Sequence, residues 1–246
     1  VNRMLVKAML DRSTHANPAA GVNTLTTDPS RGFNYIDKTA VFRISVNASG
    51  IDLTNTTNAD GLTLGTVTLT DTLPEGWEFV EIVNGENYLI FEGTGQTNGS
   101  VTASDTTPDT VTGFSSSISG RTATFTFDTL NRPYVILVKA KVRDEIAAQY
   151  FSTNQVITRT NNVNLNTVNW STGVSSSQNI TVTSGILDKS RTRPTEGELL
   201  WTVNYMPYDI DQPVDRLEDQ LPVGIDLRLD SSGNLVLAGN IAMYEM

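Results

Sequence analysis

Apolar and polar residues alternate with a period of two along most of this 246-residue chain, and that pattern limits what it can fold into. Val41-Phe42-Arg43-Ile44-Ser45-Val46 alternates, as do residues 64–69, 122–127 and 135–142, and a longer run spans 156–170. Successive side chains of a strand point to opposite faces, so each run offers one apolar face to a core. Turn-forming clusters at 55–61, 93–100, 115–120 and 175–178 separate the runs. Helical periodicity is confined to 143–150, which predicts one short helix crossing an end of the fold. Strands joined by short polar turns predict an all-β chain built as a β-sandwich.

A repeat organises the chain. Asp71-Thr72-Leu73-Pro74-Glu75-Gly76 is echoed by Asp219-Gln220-Leu221-Pro222-Val223-Gly224. In each copy a strand ends at the Asp and another follows the Gly, and an aromatic-led strand lies upstream at Phe42 or Trp201. Pro presets φ at such a turn and Gly accepts the positive φ that follows. The two units are unequal. The first is expected over 1–182, with insertions at about 11–37 and 92–119; the second starts at 183 and reaches 246 without its last strands. A half sandwich exposes unpaired strand edges, so a neighbouring chain or further sequence is expected to complete it. Val1 in place of an initiator methionine reads as a fragment or a processed product.

Composition removes several function classes. There is no cysteine, so disulfides and thiolate metal sites are excluded. The lone His15 cannot build a histidine cluster. A net charge of −10 disfavours a broad grip on nucleic acid or an anionic membrane. No apolar run approaches the roughly 18 residues of a membrane helix. Phosphate loops, metalloprotease motifs and the Gly-x-Ser-x-Gly elbow are missing, and the chain is not expected to be an enzyme acting on a substrate. Lysine occurs only five times in a chain rich in Thr, Val and Asn, which favours strands and matches the composition of secreted surface proteins.

The segment from Thr66 to Val80, with Asp71-Thr72-Leu73-Pro74-Glu75-Gly76 at its centre, resembles the signature of Ig-like repeats in bacterial cell-surface proteins, the adhesins and stalks of Gram-positive type. Ile136 to Val142 is similar to the penultimate strand of that family, and Ile157 to Leu165 takes the place of its last. The resemblance implies Ig-like β-sandwich repeats, one complete and one partial, in an extracellular, cell-surface protein. It also implies a self-formed Lys–Asn isopeptide bond, which many members carry. That chemistry needs a buried, neutral lysine, an Asn carboxamide and a protonated Asp or Glu between them. Lys7, inside Met4-Leu5-Val6-Lys7-Ala8-Met9-Leu10, is either this reactant or a charged gatekeeper on an edge strand. Lys38 is its rival. Asp71 is either the promoting acid or a turn cap, and Asn161 the amide, with Asn162 on the opposite face as alternative. In the second unit Lys189 and Asp219 take the corresponding places, with no Asn partner before Met246.

Other features carry less. No cofactor is called for, although Asp52, Asn55, Asn58 and Asp60, and also Asp209, Asp211 and Asp215, offer oxygen ligands of the kind calcium takes. Five Asn-x-Ser/Thr sequons begin at Asn47, Asn55, Asn98, Asn169 and Asn179, a number this composition yields by chance. Trp77, Trp170 and Trp201 read as core or inter-domain anchors. Two functions follow: an extracellular structural module of a multi-repeat surface protein, fibre or stalk, whose partners are neighbouring repeats or subunits; or an adhesin head gripping a host protein or glycan through its insertions.

Overall fold

The computed structural model of the chain describes residues 4–151, 156–183, 187–205, 220–221, 223–226 and 228–233. The chain divides into two compact units, Val1–Gly185 and Ile186–Met246. The first holds β1 (Leu5–Met9), β2 (Phe33–Asn34), β3 (Thr39–Val46), β4 (Val67–Thr72), β5 (Trp77–Val80), β6 (Leu89–Gly95), β7 (Val101–Ala103), β8 (Phe114–Ser119), β9 (Thr122–Phe127), β10 (Tyr134–Val142), helix α1 (Asp144–Phe151), β11 (Val156–Thr167) and β12 (Trp170–Thr183). It is a sandwich of two antiparallel sheets. The first sheet has the order β1-β3-β10-β6-β7, with β2 on β3 and β5 on β10; the second has the order β12-β11-β4-β9-β8.

Register explains which side chains meet between the sheets. Lys7 pairs with Ile44 and Met9 with Phe42, so these share a face with Ile136, the partner of Ile44 on β10. Opposite them lie Leu69, Phe125, Val163 and Leu165 of the second sheet, all buried. Burial alternates along β9 as exposed or half-buried Thr122, Thr124 and Thr126 against buried Ala123, Phe125 and Phe127.

β3 departs from alternation: all eight of its residues are buried. Its second face, with Val41, Arg43 and Ser45, is covered by the segment after β1 and by β7. Leu10, Val22, Val41, Phe91, Val101 and Val135 belong to one apolar cluster there. The first sheet is therefore buried on both faces, and the two insertions supply the cover. Arg43 sits at its centre, 1% exposed. Its Nε donates to Val22 O at 2.8 Å, Nη1 to Ser45 Oγ at 2.7 Å, and Nη2 to Asn23 Oδ1 at 3.2 Å and to Val101 O. Burial holds this guanidinium down to about 10.

His15, just after the short 3-10 turn Arg12–Thr14, is also buried in the cover. Burial lowers its pKa to about 4, and a backbone contact at Leu10 opposes this only in part, since neither ring nitrogen forms a well-aligned hydrogen bond. Lys139 lowers it further, while Asp11 and Asp37 raise it. The folded state thus keeps the ring neutral while the unfolded chain protonates near 6.5. Stability from this group is fully present above that value and is lost as pH falls toward 4, by at most about 3 kcal/mol. Urea unfolding at a series of pH values is expected to show this loss between pH 6.5 and 4, and His15→Phe is expected to flatten it. Equal slopes in both proteins would remove His15 from the account.

Two serine-rich segments and one Gly-Thr-Gly segment correct the sequence reading. Residues 115–119 and 175–178, expected as turns, lie within β8 and β12, and 93–95 lie within β6. Their small polar side chains include the solvent-facing positions of the second sheet, where Ser meets water as readily in a strand as in a turn. Ser117, Thr124, Thr70, Asn164 and Ser175 form one row across all five strands. The Leu-Pro-Glu-Gly turn has the expected conformation, with Gly76 at φ 84° and its echo Gly224 at 87°. A Cβ on Gly76 would also stand 3.0 Å from Ile146 of α1. Gly76→Ala is expected to cost about 1–2 kcal/mol in chemical denaturation; a change within a few tenths would show that the turn relaxes freely.

In the second unit β13 (Leu187–Thr192) pairs antiparallel with β14 (Leu200–Tyr205), placing Lys189 opposite Val203.

Candidate cross-linking site

Three of the residues singled out in sequence meet between the sheets of the first unit. β1 contributes Lys7, β4 contributes Asp71 and β11 contributes Asn161. The second sheet sets the spacing. Asp71 pairs with Val163, so Asn161 lies two residues along β11 on the same inward face. Lys7 reaches this face from the edge strand of the other sheet. Its Nζ lies 2.5 Å from Asp71 Oδ2, and both side chains are wholly shielded from water. Asn161 is also 0% exposed. Its carboxamide adjoins Asp71 closely enough to stabilise a charge there, yet its two polar atoms form no hydrogen bond of good geometry. The same holds for Lys7 Nζ and both Asp71 oxygens, so the pair is a close approach without alignment. The ring of Phe42, 5.2 Å from Nζ, walls the amine.

Burial decides the protonation. It lowers the Lys7 pKa, against the attraction of Asp71. It raises the Asp71 pKa, against Lys7 and Asn161. Both shifts favour the proton on the carboxyl and a neutral amine, because separated charges find no water here. An amine, a carboxyl and a primary carboxamide therefore share one dry space in which burial pushes the first two toward their neutral forms. An amine can attack the amide carbon there while the acid donates to the amide oxygen and carries protons.

The remaining candidates lie elsewhere. Lys38 has φ 58° in the turn before β3, and Asn162 is exposed on the outer face. Lys189 is exposed on β13, its Nζ 4.3 Å from the Trp201 ring centroid. Asp219 lies outside the described residues, as do Asp209, Asp211 and Asp215. The oxygens of Asp52 accept from the backbone and side chain of Asn55, and Asn58 Oδ1 accepts from the backbone of Asp60 and Leu62. Among the described residues no three acidic or histidine side chains converge as a metal site. Asn47 is buried, its amide donating to Ile51 O and Arg132 O. Trp77 is a core residue whose Nε1 donates to Tyr150 Oη at 3.2 Å. Among the described residues no helix is long and apolar enough to cross a membrane.

Sequence reasoning missed two features. Ser176, read as part of a turn, accepts the backbone N–H of Lys7 on its Oγ at 2.9 Å. Arg43 was read only as the polar member of an alternating strand. A lone Arg among residues buried on both sides is a signal, but the cover that buries it is remote in sequence.

No family model and no curated protein matches the chain. Among solved structures it is similar to the collagen-binding domain from a Staphylococcus aureus adhesin, at 11% identity over 73% of this chain and 98% of that one, with a TM-score of 0.39. A serine-rich repeat protein (Srr2) from Streptococcus agalactiae is 15% identical, covering 79% of this chain and 48% of that one, with a TM-score of 0.39. Domains D2 and D3 of the major pilin SpaD from Corynebacterium diphtheriae are 10% identical, covering 80% of this chain and 58% of that one, with a TM-score of 0.36.

Proposed function

We propose that this chain is an extracellular structural module, a stretch of a multi-repeat surface protein, fibre or adhesin stalk, whose first unit cross-links itself between Lys7 and Asn161. The buried grouping of Lys7, Asp71 and Asn161 carries the reading. An unlinked buried lysine–aspartate pair is a poor stabilising device, since the cost of desolvation offsets any attraction between charges. The same grouping is apt for making an amide. The neutral Lys7 Nζ attacks Asn161 Cγ, and Asp71 donates its proton to the amide oxygen. The tetrahedral adduct collapses as Asp71 returns protons from the amine to the departing nitrogen. One C–N bond forms, one breaks, ammonia leaves, and Asp71 ends as it began.

Lys7 stands at the start of the unit and Asn161 near its end, so the bond encloses most of the fold. Force applied at the ends of a stalk repeat would load this bond before it peeled β1 from β3. The insertions serve to cover the first sheet, which favours a supporting role over that of a binding head. The second unit, with Lys189 on a first-strand hairpin, reads as the start of another repeat. Intact mass spectrometry of the purified chain tests the cross-link. The expected mass is about 17 Da below that of the sequence, the ammonia lost in condensation; a full mass would end the reading.

A further inference from the structure

Lys7 sits on a five-residue edge strand, which must be held in place to aim its side chain. Among the described strands β1 pairs with β3 alone, along one side. Its other edge would be left to water, and a strand held on one side frays and slides. Two bonds hold it. Thr26 N donates to Met9 O at 3.2 Å, and Lys7 N donates to Ser176 Oγ at 2.9 Å. The second bond falls on the reacting residue itself and joins the first sheet to the second.

Ser176 has a specific place in the second sheet. It pairs with Val163, and Val163 pairs with Asp71, so the three form one row across β12, β11 and β4. Ser176 and Asp71 stand at the two ends of that row, about 10 Å apart by two strand spacings. Lys7 spans it: Ser176 holds its backbone, and Asp71 meets its Nζ. Asn161 lies two residues along β11 from the middle of the row.

Resting on the cross-link reading, the geometry points to Ser176 as the positioning residue that sets the reach of Lys7. Its hydroxyl fixes the height of the lysine backbone over the second sheet, and thereby where Nζ arrives relative to the Asn161 carbon. The residue touches neither reacting atom and takes no proton. Alignment of this kind acts on rate, because a near-attack geometry is lost with small displacements.

The test follows the cross-linking rate in the full chain. Unlinked chain, kept in denaturant, is folded by dilution, and the loss of about 17 Da is followed by intact mass. Ser176→Ala is expected to slow the loss about tenfold, the effect of one aligning hydrogen bond, and Ser176→Thr to restore it. In the Lys7→Met background, where no bond can form, Ser176→Ala is expected to leave the denaturation midpoint nearly unchanged. Should Ser176→Ala not fold, Ser176→Cys, similar in shape with a poorer acceptor, carries the same expectation. A rate equal to the wild type overturns the positioning role and leaves the cross-link reading standing. A rate that falls only alongside lost stability in the Lys7→Met background also overturns it. A wild-type chain that keeps its full mass refutes both.

Discussion

Asp71→Ala is expected to restore the full sequence mass and to lower the melting temperature by about 10–20 °C. The estimate starts from the loop that the proposed bond would close between Lys7 and Asn161, about 155 residues, which by the chain-entropy account would remove about 5 kcal/mol of unfolded-state freedom. In a domain of this size each kcal/mol moves the midpoint by about 2–4 °C. Asp71→Ala does more than prevent the bond, because it leaves the Lys7 amine buried without a partner, and breaking a buried pair has a cost of its own. Lys7→Met separates the two effects. It removes nucleophile and amine together and leaves only a carboxyl whose pKa burial raises. Lys7→Met is therefore expected to melt above Asp71→Ala and well below the wild type, again at full mass for its sequence. Calorimetry and intact mass on the three proteins check this ordering. A Lys7→Met protein melting within a degree or two of the wild type would show that no cross-link contributes to its stability.

Arg43→Met is the second large effect, expected at about 3–5 kcal/mol of lost stability. The guanidinium satisfies Val22 O, Asn23 Oδ1, Ser45 Oγ and Val101 O from one buried point. Those acceptors are themselves part of the mounting of β7. Ser45 Oγ accepts from Val101 N at 3.0 Å, Asn23 Oδ1 accepts from Ala103 N at 2.9 Å, and Asn23 Nδ2 donates to Ala103 O. Methionine fills similar space but donates nothing, so buried acceptors lose their partner while the apolar cluster around them persists. The loss is expected to be local first. The amides of Val101 and Ala103 should exchange faster in Arg43→Met than those of β10, which lies deeper in the same sheet. Arg43→Lys is expected to recover only part of the stability, since a compact ammonium cannot reach four acceptors set around a planar fork. Uniform loss of protection across both sheets would show that Arg43 supports the whole sandwich rather than its cover.

Period-two alternation of residue type marked β3, β4, β9, β10 and β11 as strands from sequence, although β3 is buried on both faces and its exposure does not alternate. The Asp-x-Leu-Pro-x-Gly repeat located a turn whose glycine takes a positive φ in both copies. The same alternation put Asn161, Val163 and Leu165 on one face and Asn162 on the other, and it needed no tertiary information. The serine-rich stretches 115–119 of β8 and 175–178 of β12 read as turns in sequence because their side chains report solvent, which strands and turns share.

What the sequence could not decide was partnership. Nothing local distinguishes a lysine guarding an edge from one sealed in a core. Lys7 lies on an edge strand and is nevertheless buried, because β1 folds over the second sheet and Ser176, 169 residues away, closes the gap. Arg43 and His15 likewise owe their environments to a cover whose segments are distant from β3 in sequence and packed on it in the fold. Such contacts are set by how two sheets and their loops pack, and burial then shifts the titration of whatever they enclose. Local pattern determines which way a side chain points; only the assembled fold determines what it meets and whether water meets it too.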